Sequence, residues 1–143
     1  MTKQLRRAVV LVPVIVIGTT AVALAAGPVR GATYKGATAH GKDAVSLKVS
    51  GSGKTVTVSV PTPPGYSVGC EGPTRQITKA ASISGGGAFQ ASISYEFQLV
   101  RKIVVKLFLS GKFSGHTVKG TARSQYVYSK ACGGSTSFSA KAK

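Results

Sequence analysis

Six apolar residues at every second position, Phe89, Ala91, Ile93, Tyr95, Phe97 and Leu99, constrain the fold of this chain more than any other feature. Between them stand Gln90, Ser92, Ser94, Glu96 and Gln98. A period of two puts the apolar set on one face of a strand and would scatter it around a helix, so the segment reads as a half-buried β-strand. The same alternation runs through Val45, Leu47 and Val49, through Val56, Val58 and Val60, and through Ile103, Val105, Leu107 and Leu109. Gly51-Ser52-Gly53-Lys54 marks a hairpin turn between the first two of these. Pro61-Thr62-Pro63-Pro64-Gly65 ends the next strand, because proline lacks the N–H that a ladder needs. Ile77 to Ile83 reads as a weaker strand stopped by Gly85-Gly86-Gly87. Gly111-Lys112-Phe113-Ser114-Gly115 is expected to break the chain again. A strand follows from about Val118 to Tyr128, with Tyr126 and Tyr128 on one face. In the last strand Thr136, Phe138, Ala140 and Ala142 alternate with Ser and Lys. About eight short strands with glycine-rich turns predict an all-β fold, an antiparallel β-sandwich or flattened barrel. Val104 and Phe108 fall on the face opposite Val105 and are expected to be half covered or to form a small exposed apolar patch.

The first 26 residues follow a different pattern. Lys3, Arg6 and Arg7 open the chain, an apolar run from Ala8 to Gly18 follows, and Ala23-Leu24-Ala25 offers a small-x-small cleavage pattern. A run of about 11 apolar residues suits a signal peptide better than a bilayer span, which needs about 20. Residues 1–25 are therefore expected to be a signal helix removed on export, 26–31 a short lead, and 32–143 one domain. An uncleaved membrane anchor is the alternative. Arg6-Arg7 lacks the Ser or Thr before it and the Phe-Leu after it that the twin-arginine route prefers, which favours the general secretory route. With no cysteine near Ala25, lipid attachment at a processed cysteine is excluded. The expected location is secreted, extracellular or cell-wall associated. Removing 25 of the 143 residues leaves 118, enough for a real core in one marginally stable domain.

Cys70 and Cys132 are the two cysteines, and in an exported chain an even number implies a disulfide. The bridge would close a loop of about 62 residues, worth roughly 4 kcal/mol from chain entropy. No Cys-x-x-Cys is present, and neither histidine has metal-like spacing to a cysteine.

The chain carries a net charge of +16; the signal holds three of those charges and no acid, so the remainder carries +13 against only Asp43, Glu71 and Glu96. Such a field draws polyanions: cell-wall polymers, lipid headgroups or nucleic acid. The lysines are scattered and no basic run is interleaved with aromatics, so sequence-specific nucleic-acid binding is not expected. Isolated lysines on strands also aid solubility and keep sheet edges apart. The chain is expected to be a monomer, with a protein partner left open.

Gly86-Gly87-Ala88-Phe89, Ser110-Gly111-Lys112-Phe113, Gly120-Thr121 and the stretch from Cys132-Gly133 to Phe138-Ser139-Ala140 resemble small secreted all-β proteins of actinobacteria. Tyr34-Lys35-Gly36 followed by Val45-Ser46-Leu47-Lys48-Val49 is similar too. The likeness runs from about Ala32 to the end and rests on turn glycines and core aromatics. It implies an all-β fold and an exported location, and carries over no site residues. Cys70 is followed here by Glu71-Gly72-Pro73, and Phe138 stands where that pattern has a larger aromatic.

Few constellations could carry chemistry. Gly53-Lys54-Thr55 hints at a phosphate loop, but Lys48 stands where the first glycine should be, and Thr55 opens a strand rather than a helix. Three acids leave little room for a carboxylate pair. His40, Asp43 and His116 lie in turns, and no Gly-x-Ser-x-Gly elbow accompanies them. Neither a metal site nor a cofactor is expected. Tyr34, Tyr66, Tyr95, Tyr126 and Tyr128 suit core packing with the hydroxyl at the edge. Tyr66 stands apart, in a Pro-Gly loop near Cys70 where binding residues gather. Tyr66, Lys102 and Lys106 are the candidate ligand contacts. The expected function is a non-catalytic binding or structural role at the cell envelope, with possible polyanion contact. The alternatives are a secreted enzyme whose site assembles from distant turns, and an inhibitor or toxin-like protein.

Overall fold

The computed structural model describes residues 26–40, 42–63, 70, 74–97 and 101–143. The expected signal helix, Tyr66 and Glu71 lie outside the described residues. The strands are β1 (Thr33–Thr38), β2 (Ala44–Val49), β3 (Thr55–Ser59), β4 (Thr74–Thr78), β5 (Ala80–Ser82), β6 (Ala88–Phe97), β7 (Ile103–Ser114), β8 (Thr117–Tyr126) and β9 (Gly134–Ala142). One short 3-10 helix, Lys130–Cys132, precedes β9. Every strand pairing is antiparallel, in the order β4-β6-β7-β8-β9-β1-β2-β3-β5.

The chain meanders through a nearly closed barrel. The first and last strands meet, with Tyr34 opposite Ala142 and Thr38 opposite Phe138. At the other seam, one stretch of chain pairs on both sides. Its first half, β4, lies on β6, with Thr78 opposite Ile93. Its second half, β5, lies on β3, with Val56 opposite Ala81, and Ile83 bridges back to Phe89. β4 and β5 thus act as one stave that switches partners at Lys79. The all-β expectation of about eight strands holds, in its barrel form.

Residues of alternate parity fill the barrel: Tyr34, Leu47, Val58, Ile93, Leu107 and Phe113 are almost wholly buried. Closing so small a barrel bends the sheet sharply, and two glycines show where. A Cβ at Gly36 would run into the Ser139 carbonyl, and one at Gly120 into that of Ser110. Any side chain there would force these strands apart, so the curl of β7, β8, β9 and β1 depends on bare backbone.

Three expectations need correction. Gly111 does not break the chain, and β7 runs through it to Ser114. The Phe89 ring packs against the Gly111 backbone, so the glycine serves packing rather than turning. Ile103 does not share the inward face with Val105. The β6–β7 register shifts between Tyr95, opposite Val105, and Glu96, opposite Ile103. That bulge makes Val104 the extra residue and exchanges the faces beyond it. Val104 is buried and Ile103 is 41% exposed, while Phe108 is exposed as expected. Finally, β8 stops at Tyr126, and Tyr128 projects beyond it, 68% exposed.

Candidate functional site

The outward residues of β7, β8, β9 and β1 form one face without an acid. Alternation with the buried set directs Lys106, Phe108, Ser110 and Lys112 of β7 outward, and Lys119, Thr121 and Arg123 of β8. Ser137, Ser139 and Lys141 of β9 and Lys35 of β1 complete the face. Lys35 lies directly opposite Lys141, and Lys112 directly opposite Lys119. Like charges facing each other across neighbouring strands destabilise a sheet by roughly 0.2–1 kcal/mol per pair.

A groove of about 830 Å³ runs over this face, lined by Lys35, Ala37, Lys119, Ser139, Lys141 and Lys143 among others. Its outward-facing residues Ala37, Ser137 and Ser139 are small, while Gly36 and Gly120 beneath it have the inward parity of Tyr34 and Val118. The lining is largely apolar, with Val118, Phe138 and Ala140 among it, and Lys35, Lys119, Lys141 and Lys143 are the cations that border it.

The ends of the barrel differ from this face. At one end, here the base, the Tyr34 ring stands edge-on to Phe113 at 5.0 Å, and Phe113 lies 5.3 Å from Phe89. The Tyr34 hydroxyl accepts the Val29 N–H at 2.8 Å and donates to the Gly115 carbonyl at 2.6 Å. The Gly115 N–H in turn donates to the Ala26 carbonyl at 3.0 Å, so the segment from Ala26 caps the base.

At the other end, the rim, the buried groups are polar. The Thr38 hydroxyl lies between the Asp43 carboxylate and the His40 carbonyl and accepts the Asp43 N–H at 3.0 Å. The His40 N–H donates to the Thr136 hydroxyl at 2.9 Å. The Tyr95 hydroxyl is buried and donates to the Val60 carbonyl at 2.6 Å. Burial, and then the neighbouring Tyr126 and Asp43, push its pKa well above the ordinary tyrosine value. The Val60 N–H is held by the Gln76 side chain at 3.1 Å. Cys70 and Cys132 are joined with Cα atoms 5.5 Å apart, which ties the chain after β3 to the 3-10 helix before β9.

Lys102 and Lys106 are exposed but lie outside the groove. Lys102 precedes β7, where its carbonyl accepts the Phe97 N–H, and Lys106 lies between Ser94 and Gln125 on the outer wall. His40 lies in the β1–β2 connection at the rim and His116 in the β7–β8 turn at the base, so the fold does not bring them into one cleft. Gly53 has a positive φ of 74° within a hairpin turn closed by Ser50 and Thr55, which is the turn expected at Gly53-Lys54-Thr55. Among the described residues, no group of three or more His, Cys, Asp or Glu comes together.

Sequence reasoning missed the groove lysines. Lys35 and Lys141 are 106 positions apart, and only the β1–β9 pairing makes them neighbours. Alternation did mark each as outward-facing. The missing signal was barrel closure. No protein-family model, curated protein or solved structure matches the chain.

Proposed function

We propose that this chain is an exported, non-catalytic binding protein of the cell envelope that holds a linear polyanion across the outer face of β8, β9 and β1. The observation that carries the reading is two pairs of directly opposed lysines, Lys35 with Lys141 and Lys112 with Lys119, on four strands whose outward residues include no acid. A polymer of negative charges laid across such pairs turns a repulsion into a set of contacts and releases its own counterions. Lysines placed only for solubility have no need to face one another. The disulfide suits an oxidising compartment outside the cytoplasm, and the N-terminal segment and the likeness to secreted all-β proteins favour export. The separation of His40 from His116 counts against the enzyme reading.

The test is titration of the oxidised protein with inorganic polyphosphate over a range of salt, with polyglutamate as a carboxylate polymer. The K35S/K119S/K141S protein should bind at least about tenfold more weakly and show a shallower salt dependence. The K48S/K54S/K79S protein removes equal charge from other parts of the surface and should lose clearly less. Equal losses in both would reduce the groove to diffuse charge attraction and sink the proposal.

A further inference from the structure

We infer that the rim beside the disulfide docks on an anionic lipid surface, with Tyr128, Val127 and Ile103 entering the headgroup region. Val127 is 60% exposed, Tyr128 68% and Ile103 41%, in a molecule whose other large exposed apolar side chain, among the described residues, is Phe108 on the wall. They are close together. The Val127 N–H donates to the Val104 carbonyl at 2.9 Å, which carries the contact between the chains past Tyr126 to the residue beside Ile103.

Cations flank this patch. Arg101 and Lys102 lead into Ile103, and Lys130 opens the short helix after Tyr128; all three are exposed. Glu96 lies opposite Ile103, but Arg75 stands on its other side. An apolar and aromatic tip ringed by basic residues complements an anionic bilayer: the tip enters the interface while the cations meet the headgroups.

Two further features hold the tip in place. The helix that follows Tyr128 ends at Cys132, which is bonded to Cys70. Arg101 adopts a left-handed backbone with φ 49°, a conformation glycine would take more easily. Its N–H donates to the Phe97 carbonyl at 3.0 Å, just before Lys102. A strained arginine at a turn is the kind of local cost that persists at binding surfaces.

The probe is a vesicle of phosphatidylglycerol and phosphatidylcholine, with pure phosphatidylcholine as control. The protein used is residues 26–143, which contain every described strand, the core and the disulfide, so that the N-terminal apolar run cannot itself insert. The chain has no tryptophan, so Tyr128→Trp gives a single fluorescent reporter. Its emission should shift to the blue and be quenched by brominated lipid on phosphatidylglycerol vesicles. V127S/Y128S should lower vesicle binding about tenfold while leaving polyphosphate binding intact. K35S/K119S/K141S should do the reverse, so failure here and failure of the polymer reading are distinguishable. The inference is overturned if the reporter stays solvated on vesicles, or if V127S/Y128S binds vesicles like the parent. It is also overturned if sedimentation shows a dimer that V127S/Y128S dissolves, since the patch would then be covered by a second copy.

Discussion

The two ends of the barrel are closed by different chemistry. The base is closed by aromatic packing: Tyr34, Phe113 and Phe89 pack edge-on and tilted across β1, β7 and β6, and the segment from Ala26 lies over them. The rim is closed by polar groups and a covalent bond. Thr38, Asp43, Thr136 and Tyr95 satisfy one another and nearby backbone, and Cys70–Cys132 ties two connections together. Aromatic packing needs no outside tie, because contact area and dispersion hold it. A polar layer gives less net free energy per group and punishes any unpaired member. The disulfide thus lies at the polar end, where it adds a chain-entropy term that the local hydrogen bonds do not supply.

Predictions can break or sharpen this contrast. Phe113→Ala should have the largest effect. Removing a fully buried ring that contacts both Tyr34 and Phe89 costs about 3–5 kcal/mol, read as a fall in the denaturant midpoint. Loss of the disulfide in C70S/C132S should follow, at about 2–5 kcal/mol for a separation of 62 residues. Amide exchange should then speed up at the rim, in the last turns of β3 and the first of β9, while the base stays protected. Equal loss of protection at both ends would remove the contrast.

Tyr95→Phe comes next, at about 1–3 kcal/mol, because the buried Val60 carbonyl loses its donor. It also has a pH signature. The folded pKa of Tyr95 lies above its unfolded value, so the protein keeps the proton after the unfolded chain has lost it. The stability it contributes is complete below about pH 10, the unfolded pKa, and is lost as pH rises above that toward the folded value. The parent should therefore weaken steeply in alkali, and Y95F should weaken less. The smallest effect is expected at Arg101→Gly. Relief of a left-handed non-glycine residue should stabilise the fold by roughly 0.5–1 kcal/mol while vesicle binding falls.

Local pattern made most of the walls legible. The alternation in Val45–Val49, Val56–Val60 and Phe89–Phe97 marked strands and their buried faces, because side-chain period is a property of the strand itself. Cys70 with Cys132 was readable for a similar reason, as a lone pair of cysteines in a chain that reads as exported. What escaped depends on distant neighbours. Gly111 looks like a turn until Phe89 is placed against it. Val104 and Ile103 exchange faces only because β6 and β7 slip by one residue. Lys35 and Lys141 become a pair only when the first strand meets the last. The groove belongs to this second group, so the lysines singled out from sequence, Lys102 and Lys106, lie on other parts of the surface.

The proposed polymer face is tested most directly by mapping backbone amide shifts of the isotope-labelled, oxidised protein as polyphosphate is added at rising salt. The shifts should concentrate in residues 33–39, 117–121 and 137–142 and fade together as salt competes for the lysines. Shifts spread evenly over Lys48, Lys54, Lys79 and Lys106 as well would show that charge alone, and not the opposed lysines of β1, β8 and β9, draws the polymer.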